Sequence, residues 1–137
     1  MNTKLLMRIS AIYLGLSGTA ASFLPQEVLA YSGVQSGQGA VAVLLIQVAG
    51  ALYLGFAGLN WTAQANLIGG IYSKPVALAN FTHFTVASIA LLKGIAAGQR
   101  EVLVLVGCAA YVLFAAAFAF VLFRHPSALH GKRSGET

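Results

Sequence analysis

The chain has 137 residues, of which 58% are hydrophobic and 8% charged, against roughly 25% charged in an average soluble domain, and its mean hydropathy is +0.81. So few ionisable side chains cannot solvate a globular surface of this size, which excludes an ordinary water-soluble domain and implies one integral membrane domain covered by lipid. The net charge of +5 comes from eight Lys and Arg against three glutamates, Glu27, Glu101 and Glu136; the basic residues sit singly beside apolar runs, as topology signals do, so a nucleic-acid partner is set aside.

About 20 apolar residues at ~1.5 Å each cross a hydrocarbon core of roughly 30 Å. Four segments reach that length, residues 6–24, 40–59, 76–95 and 102–123. Backbone groups in lipid must find their partners within the chain, so these segments are expected as helices. The expected fold is all-α: an up-down integral membrane four-helix bundle over residues 1–124, followed by a disordered cytoplasmic tail over 125–137.

In the first span Ala11, Gly15 and Thr19 recur every fourth residue, with Gly18 and Ser22 beside them. Such a stripe of small residues lets helix backbones approach. The same segment has the layout of a secretory signal, basic residues followed by Ile9 to Leu16 and a run of small residues, and its removal would leave three helices. Apolar character resumes at Phe23 and Leu24, which favours a retained span. Pro25-Gln-Glu-Val-Leu-Ala-Tyr31 then predicts a short interfacial helix, with proline at a first helical position and Glu27 at the positive end of the dipole. Residues 32–39 are polar and glycine-rich, as an external connection would be.

The second span repeats the small-residue pattern at Ala51, Gly55 and Gly58. Packing within the chain is the simpler use of both stripes, and a homo-oligomer interface the alternative. Polar residues then gather: Asn60, Trp61 and Asn66, the turn Tyr72-Ser-Lys-Pro75, and Asn80 and His83 in the third span. Gly69-Gly70 breaks the second helix, Ser73 suits an N-cap and Pro75 a first turn, while Trp61, Tyr72 and Tyr31 suit the interface. In the third span Asn80, His83, Ala87, Ala90 and Gly94 share one helical face, and Gly107, Ala110, Phe114 and Phe118 offer a complementary face on the fourth.

Asn80 and His83 are expected about one turn inside their helix, where polar groups must find partners. Two readings are open. One is an interhelical hydrogen-bond network with Asn60, Gln47, Ser17, Thr19 or Tyr111; the other is a pocket for a quinone, a lipid headgroup or a small polar solute. The candidate ligand-binding residues are thus Asn60, Trp61, Asn80, His83 and Tyr111. No cofactor is required by any motif. A lone histidine can carry protons, but no glutamate lies in a span to relay them. His83, His125 and His130 are not clustered as metal ligands, Cys108 alone forms neither an intrachain disulfide nor a thiolate metal site, and catalytic motifs are absent.

Lys4, Arg8, Lys74, Arg124, Lys132 and Arg133 fall on one side of the expected topology and Lys93 and Arg100 on the other. The positive-inside rule then puts both termini in the cytoplasm of a cell with the chain in its inner membrane.

Four short spans, Phe23-Leu-Pro-Gln-Glu-Val-Leu29 after the first, and Gly50-Ala-Leu-Tyr-Leu-Gly-Phe-Ala-Gly58 in the second resemble the small DoxX-like bacterial membrane proteins over the first half of the chain. That resemblance implies a small membrane protein, with an association to quinone-linked sulfur oxidation or membrane redox complexes in some members. It carries no catalytic residue. The functional expectation is a non-catalytic accessory subunit or small-ligand binder, with membrane-complex partners; the alternatives are a small oligomeric transporter or channel and a quinone-linked redox component.

Overall fold

The computed structural model describes residues 2–34, 39–65 and 73–124. Among these residues the chain is helical without any strand: α1 (Thr3–Phe23), α2 (Pro25–Tyr31), α3 (Ala40–Ala63), α4 (Ser73–Ala96) and α5 (Val102–Arg124). Four of them, α1, α3, α4 and α5, are long and apolar enough to cross a membrane, the pattern of a multi-pass membrane protein. Their outward faces agree, since Leu45, Val48, Leu113 and Phe123 are each about two-thirds exposed. Water would drive such a surface to associate, whereas lipid tails are as apolar as leucine. The glycine pair Gly69-Gly70, Asn66, Tyr72 and the whole of 125–137, with His125 and His130, lie outside the described residues.

The helix ends follow local chemistry. Asn2 caps α1 through its side-chain oxygen, which accepts from the Leu5 amide at 3.3 Å. Proline opens α2 and Glu27 occupies its first turn. At the end of α2 the Val34 and Gly33 amides donate to the Leu29 and Ala30 carbonyls, and at the end of α4 those of Gln99 and Gly98 donate to Gly94 and Ile95. This paired cap needs a left-handed residue after the helix, supplied by Gly33 at φ +81° and Gly98 at φ +105°.

Helix α1 packs chiefly on α3 and α4 chiefly on α5. The first pair is antiparallel, because Ser10 meets Asn60 at one end and Gly18 meets Gly50 toward the other. The second is antiparallel too, with Phe81 against Phe123 and Phe84 against Tyr111 and Phe114. One apolar core joins the pairs, built on Leu6, Met7, Leu14, Phe84, Tyr111 and Phe118.

The contact faces are rotated from those read in the sequence. On α1, Ala11 is buried and a Cβ on Gly15 would lie 3.7 Å from that of Ala57, but Thr19 is exposed and its hydroxyl returns to the Gly15 carbonyl. On α3, Ala51, Gly55 and Gly58 all face outward, and a Cβ on Gly55 or Gly58 meets nothing within 4 Å. Close approach runs through Gly50 instead: a Cβ there would lie 2.7 Å from the Ser22 nitrogen and 2.9 Å from the Gly18 oxygen. One residue is a turn of about 100° around a helix. A helix apolar on every side gives no preferred face, so spacing alone cannot choose between neighbouring stripes. On α4 and α5 the expected faces hold in part: Asn80 and Phe118 are fully buried and Ala87 and Phe114 pack on the core, while α4 also buries Ala77, Phe84 and Ser88 and α5 also buries Cys108, Tyr111 and Val121.

Candidate functional site

Two polar groupings occupy the region where α1, α3 and α4 converge. The first is a closed amide network. Asn60 and Asn80 are fully buried and bond to each other twice, Nδ2 of Asn60 to Oδ1 of Asn80 at 2.7 Å and Nδ2 of Asn80 to Oδ1 of Asn60 at 2.6 Å. The second N–H of Asn60 goes to Oγ of Ser10 at 3.0 Å, and that of Asn80 to the Val76 carbonyl at 2.9 Å. Ser10 in turn donates to the Met7 carbonyl at 3.0 Å. All four amide N–H bonds are used. With no unspent donor, this cluster ties three helices together and offers a ligand little.

One expected network partner, Gln47, and one candidate ligand-binding residue, Trp61, lie elsewhere. Gln47 bonds the Ser22 carbonyl at 3.3 Å, toward the opposite end of α3 from Asn60, and Trp61 is over half exposed on the far side of that helix from the His83 cluster.

The second grouping is aromatic. The His83 ring stacks on Phe56 at a centroid distance of 4.8 Å and meets Tyr53, Phe84 and Tyr111 edge-on or tilted at 5.5, 5.1 and 5.6 Å. Tyr111 also touches Tyr13 at 5.9 Å and Tyr53 at 6.4 Å. Two polar atoms in this cage, Nε2 of His83 and the Tyr111 hydroxyl, are buried without a hydrogen-bond partner among the described residues. A buried polar atom left so carries a standing desolvation cost, relieved by whatever bonds it.

His83 is the eleventh of the 24 residues of α4, so it lies about 15 Å along the helix at ~1.5 Å per residue, near mid-span and deeper than the sequence placed it. Beside it an open, mainly apolar groove of ≈ 570 Å³ runs between α3 and α4, walled by Phe56, Ala79, Val86, Ala87 and Ala90 with Thr82 and His83 as its polar residues. Ser10, Tyr13, Tyr53, Phe56 and Phe84 are the members of the two clusters that the sequence expectation did not single out. A signal was present: Asn60, Phe56 and Tyr53 step by four and three along α3, as Asn80, His83 and Ala87 do along α4. Among the described residues no three His, Cys, Asp or Glu side chains gather where a metal could sit.

Comparison with protein-family models, with curated proteins and with solved structures finds no match to this chain.

Proposed function

We propose that this is a non-catalytic inner-membrane protein, a four-helix bundle with both termini in the cytoplasm, that binds a small membrane-dissolved molecule between α3 and α4. The observation that carries this reading is the buried, unpartnered Nε2 of His83, a residue that lines the apolar groove, with the Tyr111 ring packed against its imidazole. An imidazole nitrogen donates or accepts according to tautomer and a phenol does both, so the pair suits a carbonyl or hydroxyl on an otherwise apolar body. Lateral entry from lipid supplies such a molecule without an aqueous path. No base, nucleophile and orienting group line up here as a reacting set would require, which favours binding or an accessory role over catalysis. A quinone satisfies the same chemistry; a redox role for it rests on the DoxX-like resemblance alone.

The test is organic extraction of protein purified in mild detergent, with mass spectrometry of what is released. The expected result is one apolar carbonyl or hydroxyl compound near stoichiometric amount. His83→Leu and Tyr111→Phe should each lower its retention, by about tenfold for one lost hydrogen bond of roughly 1.4 kcal/mol. Retention unchanged in both variants, or no bound compound in the wild type, overturns the reading.

A further inference from the structure

A second groove, of ≈ 330 Å³, opens on the other side of α3, between it and α1, with walls formed by Ala11, Ile12, Ala57, Gly58, Trp61 and Thr62. It owes nothing to the His83 cage. The Thr62 hydroxyl is turned back onto the Gly58 and Leu59 carbonyls, at 2.9 and 3.0 Å, so the walls present carbon. Gly58 makes the hollow, since a side chain there would project into open space. A polar solute finds nothing to bond in such a groove, whereas an acyl chain fits its composition.

One turn beyond the groove, toward the N-terminus of α1, Arg8 Nε donates to the side-chain oxygen of Gln64, the residue that caps α3. Arg8 and Ile12 are four apart on α1, as Gln64 and Trp61 are three apart on α3, so the guanidinium stands over the end of the groove. That bond spends one of its five N–H donors and leaves both terminal nitrogens without a partner among the described residues, the pair suited to grip a phosphate. Lys4 adds a second exposed cation one turn further on, and neither Glu27 nor Glu101 is near, the latter packing on Gly33 at the opposite end.

We infer that this groove is a binding site for one anionic phospholipid of the leaflet facing the chain termini, with an acyl chain along Ala11, Ala57 and Gly58 and the phosphate on Arg8. Charge complementarity selects the occupant: an apolar trough ending at a fixed arginine matches a lipid whose headgroup carries net negative charge. Trp61, which lines the groove as the third residue from the end of α3, is of the type that favours the headgroup level.

Native mass spectrometry of the full chain, in detergent with equal amounts of dioleoylphosphatidylglycerol and dioleoylphosphatidylcholine, tests the site. Wild-type protein should retain one phosphatidylglycerol in about fivefold preference, the factor expected of one basic residue near the surface. Arg8→Gln should abolish the preference, Arg8→Lys should keep most of it, and Lys4→Gln should change it less than Arg8→Gln. Gly58→Leu should abolish tight retention of either lipid at an unaltered melting temperature; Ile12→Trp, at an exposed position across the groove, gives a second block should Gly58→Leu fail to fold. Equal retention of the two lipids by the wild type, or undiminished retention in the blocked variants, overturns the assignment. A dimer in the wild-type spectrum that Gly58→Leu dissolves overturns it as well, giving the groove to a second copy.

Discussion

Asn60 and Asn80 spend every amide hydrogen they have, and three of the bonds in their cluster cross between helices. At an average of about 0.6 kcal/mol per interhelical bond in a membrane, the cluster contributes roughly 2 kcal/mol. Asn60→Ala is therefore expected to lower unfolding stability by about 2 kcal/mol in a denaturing-detergent titration. The double variant Asn60→Leu with Asn80→Leu should lose less than the sum of its parts, because removing both amides strands neither. Strict additivity, or a wild-type Asn60→Ala, would contradict the closed network. At this scale the sequence was informative where the residue type is costly in lipid: Asn60, Asn80 and His83 stand out in apolar runs because each demands a partner. Ser10 and Tyr53 did not stand out. A serine satisfied by its own helix and a tyrosine with an apolar ring are tolerated almost anywhere in a span, so only the neighbouring helix reveals that they matter.

Helix against helix, the tightest approach is the crossing of α1 over α3 at Gly18 and Gly50. Gly50→Ala places a methyl 2.5 Å from Oγ of Ser22 and 2.7 Å from its backbone nitrogen, so the helices must part. The expected loss is about 1–3 kcal/mol, as for overpacking elsewhere, and it outweighs the gain in helix propensity. Gly55→Ala meets nothing and should be neutral or stabilising by up to ~1 kcal/mol in the same titration. Reversal of that order would place the contact on Gly55 after all. The lengths of the spans were legible and their limits nearly so, since Pro25, Glu27 and the glycine-rich stretch ending at Gly39 are local signals. Facing was not. Periodicity locates a buried side by contrast with a polar one, and α3 and α5 are apolar all round.

For the molecule as a whole, the asymmetry of six basic residues against two predicts that a fluorescent protein fused to the C-terminus glows in the cytoplasm and that a periplasm-dependent phosphatase fused there stays inactive. The opposite pair of results would reverse the orientation and move the lipid site to the other leaflet. Composition by itself determined that this chain forms four helices long and apolar enough to cross a membrane, because twenty-odd apolar residues have few other stable fates. Tertiary structure alone decided which polar groups are spent on one another and which are left open. The amides of Asn60 and Asn80 close on themselves while His83 and Tyr111 do not, a distinction set by side-chain distances across helices that no spacing along one helix encodes.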